Sequence, residues 1–408
     1  MPSPAAFGHL DCDCFYVSAE RARDTFLRGK PVGVLGNQGA CVIAKSYEMK
    51  AAGVQTGMPI WDALRLCPLA VYVKRDFRWY EVLSRQVLAV VRTFSPRVEY
   101  HSIDDFFFEA IPERGQTFQE LAQQLRDAVL REVGVPVTVG IARTKTLAKL
   151  ISDTAKPFGA QSFLDSDAER ALLERLPVTE VSGIASRRAA RLEPHGIRTC
   201  LELAQADRRL VCWLLTITGE ALWYELNGDP VLPLHTERPP HKMLSRGGSL
   251  GGPTEQPERV YAWLVRNLER LVEELEFHVV GAGTLSVSIQ HKGGVQGCCR
   301  AELPTPTNRF DLLLEAGRFC LAQAWSSRQA ATYMHVTASH LRRPGFVQRG
   351  LFDWPEAQAR AVAEVKWKVN AEVARFSLRS GATLPLYDVY RDEAQAYDIC
   401  DVRGKICF

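Results

Sequence analysis

Runs of apolar and polar residues divide the first 165 positions into alternating strands and helices. The stretches "AFGHLDCDCFYV" and "VPVTVGIA" predict strands, and "RVEYHSIDDFFFEAI", rich in β-formers around a polar break, predicts a β-hairpin. In "RWYEVLSRQVLAVVRTF", apolar residues at 79, 83, 87, 90 and 94 have helical spacing. We therefore expect a mixed helix and sheet domain, with one helix-rich insertion over residues 17–79.

The pattern is cleaner over residues 244–345. "TLSVSIQHK" alternates apolar and polar positions, and "PERVYAWLVRNLERLVEELEFHVV" predicts a long amphipathic helix. The predicted order is β-α-β-β-α-β, a sheet with both helices on one face. Its exposed strand face is expected to carry Ser286, Ser288, Gln290, His291 and Lys292.

The remaining segments complete a multidomain α+β chain. Residues 166–232 predict short helices, and the Pro-rich "LPLHTERPPHKML" predicts a linker. The tail over residues 346–408 has a mixed pattern that we do not assign to an element.

Composition narrows the class of protein only slightly. The chain has 408 residues, 46% of them hydrophobic, with a net charge of +3. The eleven cysteines include no CxxC pair, which indicates reduced thiols and a cytoplasmic location rather than a zinc site. We see no secretion signal in "MPSPAAFGHL" and expect no membrane span.

Candidate chemistry lies in two acidic pairs at the ends of apolar strands. Asp11 and Asp13 lie at the end of the first strand, and Asp104 and Asp105 lie at the tip of the predicted hairpin. A single acidic pair is more often a structural turn, but four such carboxylates would repel one another without a cation. Carboxylates suit Mg²⁺, and a pair of such ions supports phosphoryl transfer.

Five ordered motifs stand out along the chain: "DCDCFYVSAE", "CVIAKSYEMKAAGVQTGMP", "SPRVEYHSIDDFFFE", "VTVGIARTKTLAKLISDTAKPFG" and "GIRT". Together they resemble the Y-family translesion DNA polymerases of the DinB/UmuC group. The resemblance implies a right-hand polymerase with a palm over residues 1–16 and 80–165, fingers over 17–79, a helix-hairpin-helix thumb over 166–232, a linker over 233–243 and a DNA-gripping little finger over 244–345.

The resemblance also implies a two-metal site. Asp11 and Asp104 match the family's catalytic metal-bridging aspartates, and the carbonyl of Cys12 matches a main-chain ligand. Asp105, the third expected catalytic ligand, stands where the family has Glu, so its carboxylate is set back by about one C–C bond, or about 1.5 Å. A displacement of that size can cost on the order of 100-fold in rate. Asp13 is interpreted as a structural acid beside the site.

The nucleotide site is expected from the same motifs. Phe15 and Tyr16 would pack against the incoming sugar, and Tyr16 matches the family's steric gate against ribose. Tyr47 and Lys50 lie one helical turn apart and match a triphosphate-binding Tyr and Arg, with Lys in place of Arg. Lys156 matches the family's other triphosphate lysine. Without the resemblance, a core tyrosine and solvated lysines would be the favoured interpretation.

DNA contacts are expected in three further places. The turns at Gly183-Ile184 and Gly196-Ile197 resemble helix-hairpin-helix turns, which direct backbone amides at phosphate. On the helix before Lys156, Lys145 and Lys149 are candidates for phosphate contact, and Lys292 is one in the little finger. A helix-turn-helix packing pair would give a similar turn signal.

Beyond the little finger, Gln348, Leu351 and Phe352 in "QRGLFD" resemble a sliding-clamp motif that ends in Leu-Phe. The tail after it is interpreted as a binding segment for an accessory protein.

We therefore expect a Mg²⁺-dependent DNA polymerase, with Mn²⁺ as a substitute ion, that adds dNTPs to primed template DNA across damage with low fidelity and low processivity. One alternative is a non-catalytic Y-family scaffold that recruits another polymerase. Another is a nucleotide cyclase, which shares paired acids on a similar hairpin but would have no use for the helix-hairpin-helix region.

Overall fold

The computed structural model describes residues 6–36, 41–237, 239–326, 329–343, 357–373 and 376–390. These residues form two compact units, one up to position 237 and one from position 239 onward.

The strands of the first unit are β1 (Ala6–Cys12), β2 (Val32–Leu35), β3 (Val42–Lys45), β4 (Val71–Lys74), β5 (Val98–Tyr100), β6 (Asp105–Ala110), β7 (Val137–Ala142) and β8 (Ala160–Phe163). Its helices are α1 (Phe15–Arg23), α2 (Tyr47–Ala51), α3 (Ile60–Leu66), α4 (Phe77–Phe94), α5 (Phe118–Val133), α6 (Lys145–Ala155), α7 (Ser166–Arg175), α8 (Ser186–Leu192), α9 (Cys200–Gln205) and α10 (Arg208–Leu226).

A five-stranded sheet of order β5-β6-β1-β7-β8 is the centre of this unit. The central strand β1 pairs antiparallel with both β6 and β7, while β7 and β8 are parallel. Leu10 packs into a core shared with α4 and α5, whereas its neighbours His9 and Asp11 contact Ser152 of α6 and Lys156, the residue after α6. Alternation along one strand therefore separates the apolar core from the polar chemistry.

Helix α6 approaches the sheet closely at Gly140 of β7. A Cβ atom at this position would lie 2.4 Å from the carbonyl oxygen of Ala148 and 2.5 Å from the amide nitrogen of Ser152. Only glycine lets the helix backbone lie this close to the strand, so Gly140 fixes the height of α6 above β1 and β7.

The insertion over residues 17–79 contains a three-stranded sheet of order β3-β2-β4, which makes our helix-rich description of this segment incomplete. Strands β2 and β4 pair in parallel. The run "PVGVLG" predicts a short strand, and β2 confirms it, but each strand has only four residues, too few for the periodicity of a whole sheet to stand out in the sequence.

Residues 166–226 are helical, as the pattern predicts. The longest element there, α10, is interrupted at Thr216, whose φ of 66° and ψ of −169° lie outside the helical region. The backbone therefore turns at this point, and the pattern of apolar residues did not predict the turn.

The second unit contains β9 (Met243–Thr254), α11 (Pro257–Phe277), β10 (Ala282–His291), β11 (Gln296–Thr307), α12 (Phe310–Ala324) and β12 (Ala331–Ser339). The predicted β-α-β-β-α-β order is confirmed. The four strands form an antiparallel sheet of order β11-β10-β12-β9, and the apolar faces of the sheet and of both helices share one core.

A C-terminal segment, α13 (Ala357–Glu372), a 3-10 turn (Gly381–Leu386) and α14 (Tyr387–Tyr390), packs on α11. Glu269 of α11 pairs with Lys366 and accepts a hydrogen bond from the amide of Ser380. We predicted an amphipathic α11, but polar residues such as Glu269 are buried too, and this segment contributes to the cover over that residue.

No helix within the described ranges has the length and the apolar content that a membrane crossing requires.

Candidate active site

The two acidic pairs lie at the ends of adjacent strands. In the antiparallel register of β1 and β6, Asp11 stands directly opposite Asp105. The amide of Cys12 donates a hydrogen bond to the carbonyl of Asp104 at 2.9 Å, which places Asp104 beside the end of β1. The structure therefore brings together the three carboxylates that the sequence singles out, from segments more than ninety positions apart.

Burial sets the protonation behaviour of these acids. Desolvation raises the pKa of Asp104, and desolvation together with a hydrogen bond to Asp105 raises the pKa of Asp11. Burial acts in the same direction on Asp105, but contacts with His9 and Asp11 and the charge of Lys149 outweigh it and lower the pKa of Asp105. The facing pair Asp11 and Asp105 thus titrates as a unit.

Asp13, the fourth acid, is fully engaged with the protein. Its carboxylate accepts hydrogen bonds from the hydroxyl of Thr138 at 3.0 Å, the hydroxyl of Tyr47 at 3.2 Å and the amide of Phe158 at 2.8 Å. Asp13 therefore joins three segments of the chain and has little capacity left for a cation.

The donor chemistry of the cluster fits a hard divalent cation. Three carboxylates at two paired strand ends, together with the neighbouring carbonyl of Cys12, are the oxygen ligands that Mg²⁺ prefers. As the side chains lie, however, the described part of the chain contains no group of three or more His, Cys, Asp or Glu residues arranged to hold a metal. Amino and hydroxyl groups already contact these carboxylates.

Those contacts come mainly from α6. Lys156 lies 2.9 Å from Asp11 and 2.8 Å from Asp153, and Lys149 lies 3.4 Å from Asp105. The hydroxyl of Ser102 donates to Asp104. A cation that bound here would exchange places with ammonium groups rather than enter a bare acidic pocket.

Lys145 and Lys149 were predicted to reach DNA phosphate, and the structure corrects this for Lys145. Lys145 is buried and pairs with Glu99 of β5 at 2.6 Å, and it also donates to the carbonyl of Pro233. Helical spacing places both lysines on the inner side of α6, where the sheet supplies acids. Desolvation raises the pKa of Glu99, but hydrogen bonds from His101, Lys145 and the amide of His235 outweigh it and hold that pKa at about 2.

Aromatic rings lie next to the acids at the start of α1. Tyr16 stacks on Tyr80 with ring centroids 4.6 Å apart and an interplanar angle of 15°, and Phe77 packs against it edge-on. Phe15 is buried beneath them. The hydroxyl of Tyr80 donates to Glu20 at 2.7 Å, so the ring that supports Tyr16 is itself held in place.

Tyr47 and Lys50 lie on α2, as expected. Ser46 caps the start of this helix, accepting a hydrogen bond from the amide of Met49. The hydroxyl of Tyr47 reaches Asp13, and Lys50 is exposed. The residues predicted to bind nucleotide thus extend from α2 to the acids at the end of β1.

The predicted hairpin turns are present between the helices of residues 166–226. Gly183 and Gly196 have φ values of 94° and 75°, which favour glycine, while Ile184 and Ile197 are buried and anchor the turns. Glycine followed by a buried apolar residue therefore indicated these turns correctly.

A third turn, at Thr216 in α10, was missed. Trp213 and Ile217 on either side of it are 75% and 76% exposed. Arg188 connects this turn to the first hairpin, donating to the carbonyl of Gly183 at 2.8 Å and to Thr218 at 3.4 Å. The exposure of these two residues is not visible in the sequence, so the stretch "LLTITG" gave no signal for this turn.

In the second unit, the sheet face opposite the helices is polar. Ser286, Ser288 and Gln290 lie on it as predicted, and Lys292 is exposed in the turn after β10. His291 is a correction, because it is buried and its Nε2 accepts from the amide of Ser326 at 3.3 Å. Strict alternation from Ile289 places position 291 on the apolar face.

Gln348, Leu351 and Phe352, the predicted clamp motif, lie outside the described residues.

Structural comparison gives the class of the fold. A Y-family DNA polymerase chimera of Dbh and Dpo4 superposes with a TM-score of 0.71, covering 83% of this chain and 99% of that one at 21% identity. DinB from Sulfolobus solfataricus superposes with a TM-score of 0.54 at 21% identity, covering 82% of this chain and 98% of that one. The fold is that of the Y-family DNA polymerases.

Sequence comparison gives the family. The impB/mucB/samB family matches residues 10–153, and its C-terminal domain matches residues 241–351. DNA polymerase IV 1 of Bacillus subtilis is 29% identical over 385 residues, with 92% of each chain covered. DNA polymerase IV of Oceanobacillus iheyensis is 32% identical over 294 residues, 69% of this chain and 68% of the relative. The chain belongs to the impB/mucB/samB family, and the predicted Y-family resemblance is confirmed.

Proposed function

We propose that this chain is a DNA-directed DNA polymerase that extends primers across damaged template positions. The observation that carries the proposal is the meeting of Asp11, Asp104 and Asp105 at two paired strand ends, in a chain whose relatives are named DNA polymerase IV. In this proposal, the first unit supplies the palm, fingers and thumb over the ranges predicted from the sequence, and the second unit supplies the little finger.

The acids would hold two Mg²⁺ ions, or Mn²⁺ in their place, together with the carbonyl of Cys12. When bound, such ions favour ionisation of the primer 3′-hydroxyl and stabilise the charge on the pyrophosphate that leaves. The register of β1 and β6 keeps Asp11 opposite Asp105 whatever occupies the site. Asp105 is the ligand whose metal contact would be weakest, because its side chain is one methylene shorter than the family's Glu.

The groups beside the acids suit a nucleoside triphosphate. Lys50 and Lys156 would bind the phosphates and Tyr47 would donate to them, while Phe15 and Tyr16 would pack against the sugar. The stack of Tyr16 on Tyr80 supports this role, because a ring held from behind cannot retreat from a ribose 2′-hydroxyl.

Primed template DNA would be held without reading its sequence. The turns at Gly183-Ile184 and Gly196-Ile197 would lie against the phosphate backbone, with the exposed Trp213 as a neighbouring apolar contact. The amides of Ile184, Gly196 and Ile197 donate to carbonyls of preceding residues, so they would bind phosphate by sharing or exchanging those hydrogen bonds. In the second unit, the polar sheet face and Lys292 suit the sugar-phosphate backbone. Contacts of this kind depend on salt and favour low processivity.

Other partners and the location follow from the sequence alone. A sliding clamp would bind at Gln348, Leu351 and Phe352, an accessory protein would bind the tail, and the enzyme would act in the cytoplasm during the response to DNA damage. We expect low fidelity, and hence mutagenesis, because the motifs include no second acidic cluster suited to proofreading.

Primer extension tests the proposal directly. Purified protein is mixed with a primed template, all four dNTPs, and Mg²⁺ or Mn²⁺, on undamaged and damaged templates. We expect extension past at least one type of lesion. Duplex binding without extension in either metal would contradict the polymerase and favour the scaffold, an alternative kept open by Asp105 in place of Glu.

A further inference from the structure

Lysine ammonium groups of the same chain contact the acidic cluster of Asp11 and Asp105. Lys156 holds Oδ2 of Asp11 at 2.9 Å, and Lys149 holds Oδ1 of Asp105 at 3.4 Å. A carboxylate oxygen that accepts from an ammonium group cannot also coordinate a divalent cation at full strength. Cation binding at this site is therefore linked to the position of each lysine.

Lys149 is fixed from behind by two side chains. The hydroxyl of Ser152 donates its one proton to the carbonyl of Lys149 at 2.8 Å, so its oxygen must accept from Nδ1 of His9 at 2.6 Å. Nε2 of His9 lies 3.3 Å from the ammonium group of Lys149 and 3.3 Å from Oδ1 of Asp105. Lys149 is thus packed between a buried ring and Asp105.

Lys156 is held in a different way. It is the residue after the last turn of α6, with an extended backbone, and its side chain is 25% exposed. Its ammonium group bridges two carboxylates, those of Asp11 and Asp153. The backbone just beyond it is anchored, because the amide of Phe158 donates to Asp13 at 2.8 Å. The side chain can therefore exchange one anion for another while the turn stays in place.

We propose that Lys156 couples nucleotide binding to cation binding. In the nucleotide-free protein its ammonium group blocks Asp11, and an incoming triphosphate draws that group away and opens Asp11 to a divalent cation. The triphosphate wins this competition because it offers the ammonium group several phosphate oxygens at once, whereas Asp11 offers a single carboxylate. Linkage then requires that the cation raise the affinity for nucleotide by the same factor.

This inference rests on the proposed function, and it is tested by a cation titration. Mn²⁺ binding is followed by electron paramagnetic resonance on protein bound to DNA with a dideoxy-terminated primer, at one fixed pH. The titration is done without nucleotide and with an exchange-inert Rh(III) complex of the matching dNTP, which carries its own metal. We expect the nucleotide to tighten Mn²⁺ binding about 10-fold in the wild type.

The variant Lys156→Met separates the two states. Without the ammonium group, Asp11 is open from the start, so Mn²⁺ should bind about 10-fold tighter than to the wild type without nucleotide, and the nucleotide should add little. Equal Mn²⁺ affinities for the variant and the wild type in both conditions would overturn the proposal. Lys156→Gln repeats the test if the Met variant does not fold, as judged by thermal melting and duplex affinity.

Lys149→Met is the matched control. It removes the same charge from the same cluster, so it should tighten Mn²⁺ binding with and without nucleotide, but the nucleotide should still tighten binding about 10-fold. If both variants lose the nucleotide effect equally, a general charge effect explains the data and the specific role of Lys156 is refuted.

Extension of an unblocked primer by the same wild-type sample separates two kinds of failure. Extension without a nucleotide effect on Mn²⁺ binding would refute only the coupling. Absence of extension would refute the polymerase proposal itself.

Discussion

The two main sheets of this molecule carry their polar residues in different places, one at the strand ends and the other on an open face. The five-stranded sheet is covered on both sides, and its β7 is buried along its whole length, so its polar chemistry lies at the strand ends, with Asp11 and Asp105. The four-stranded sheet buries one face under α11 and α12 and leaves the other polar, with Ser286 and Ser288 on it. A strand end can bring a few charges to one point, whereas an open face offers a broad surface of weak contacts.

Each sheet is also tied to a helix by a buried ion pair. Lys145 of α6 pairs with Glu99 of β5, and Arg246 of β9 pairs with Glu274 of α11. The first pair lies one helical turn before Lys149, so it also positions the helix that reaches the acids. In the five-stranded sheet, stability and chemistry therefore depend on the same helix.

The largest expected effect comes from removing an acid at a strand end. Asp104→Ala should lower single-turnover primer extension by about 1,000-fold or more, because charge stabilisation at the reacting phosphate is lost. Duplex affinity, measured by fluorescence anisotropy, should change little. Ser288→Ala on the open face of the other sheet is the control. Comparable losses of extension in the two variants would contradict the assignment of catalysis to the strand ends and of weak contacts to the open face.

The next effect concerns the buried pair of α6. Lys145→Met leaves Glu99 buried without its ammonium partner, which should cost roughly 3 kcal/mol of unfolding free energy in urea at pH 7. Because the folded-state pKa of Glu99 is depressed to about 2, the contribution of the pair is present above the ordinary pKa of Glu. The difference between variant and wild type should therefore shrink as the pH falls from about 5 towards 2.

Arg131→Met is the matched control for that variant. Arg131 pairs with Glu132 on the exposed surface of α5, and its loss should cost less than about 0.5 kcal/mol. A pH-independent loss in Lys145→Met would mean that packing, rather than the ion pair, stabilises α6.

A smaller effect is expected at the aromatic stack beside the acids. Tyr16→Ala removes the ring held by Tyr80, so the ratio of ribonucleotide to deoxyribonucleotide incorporation should rise roughly 10- to 100-fold. Steady-state kinetics with the two nucleotide types gives this ratio. Tyr16→Phe keeps the ring and should leave the ratio near the wild-type value; an unaltered ratio in the Ala variant would exclude the steric gate.

The smallest effect should come from the open face of the second sheet. Lys292→Ala should weaken duplex binding about two- to three-fold and reduce the slope of log affinity against log salt by about 1, the loss of one phosphate contact. Lys368→Ala is the control, since Lys368 is exposed on α13, a helix that pairs with α11 through Lys366. Equal salt slopes for Lys292→Ala and the wild type would remove Lys292 from the interface.

Local pattern predicted the parts of the site that depend on chain neighbours. The strand ends at Asp11 and Asp105, the helix that carries Tyr47 and Lys50, and the β-α-β-β-α-β order all follow from periodicity and motif spacing. These features could be predicted because each depends on residues that are close together in the sequence.

The sequence did not predict which distant acids the lysines of the site contact. Lys156 and Asp11 are 145 positions apart, and no local rule pairs them. The polar residues of α11 read as a solvated face because the C-terminal segment that covers them lies about a hundred positions further on. The break at Thr216 is strained backbone that propensity alone does not signal.

The close approach at Gly140 has a consequence for how this protein can evolve. The residue lies in β7, away from the acids, yet any side chain there must lift α6, and with it the middle of the helix, which carries Lys149, and the turn that carries Lys156. Random substitution followed by selection for damage tolerance should therefore recover no replacements at this position, while surface positions of the same helix such as Thr154 drift freely. Gly140, a strand glycine with no chemical role of its own, would then rank among the least replaceable residues of the chain.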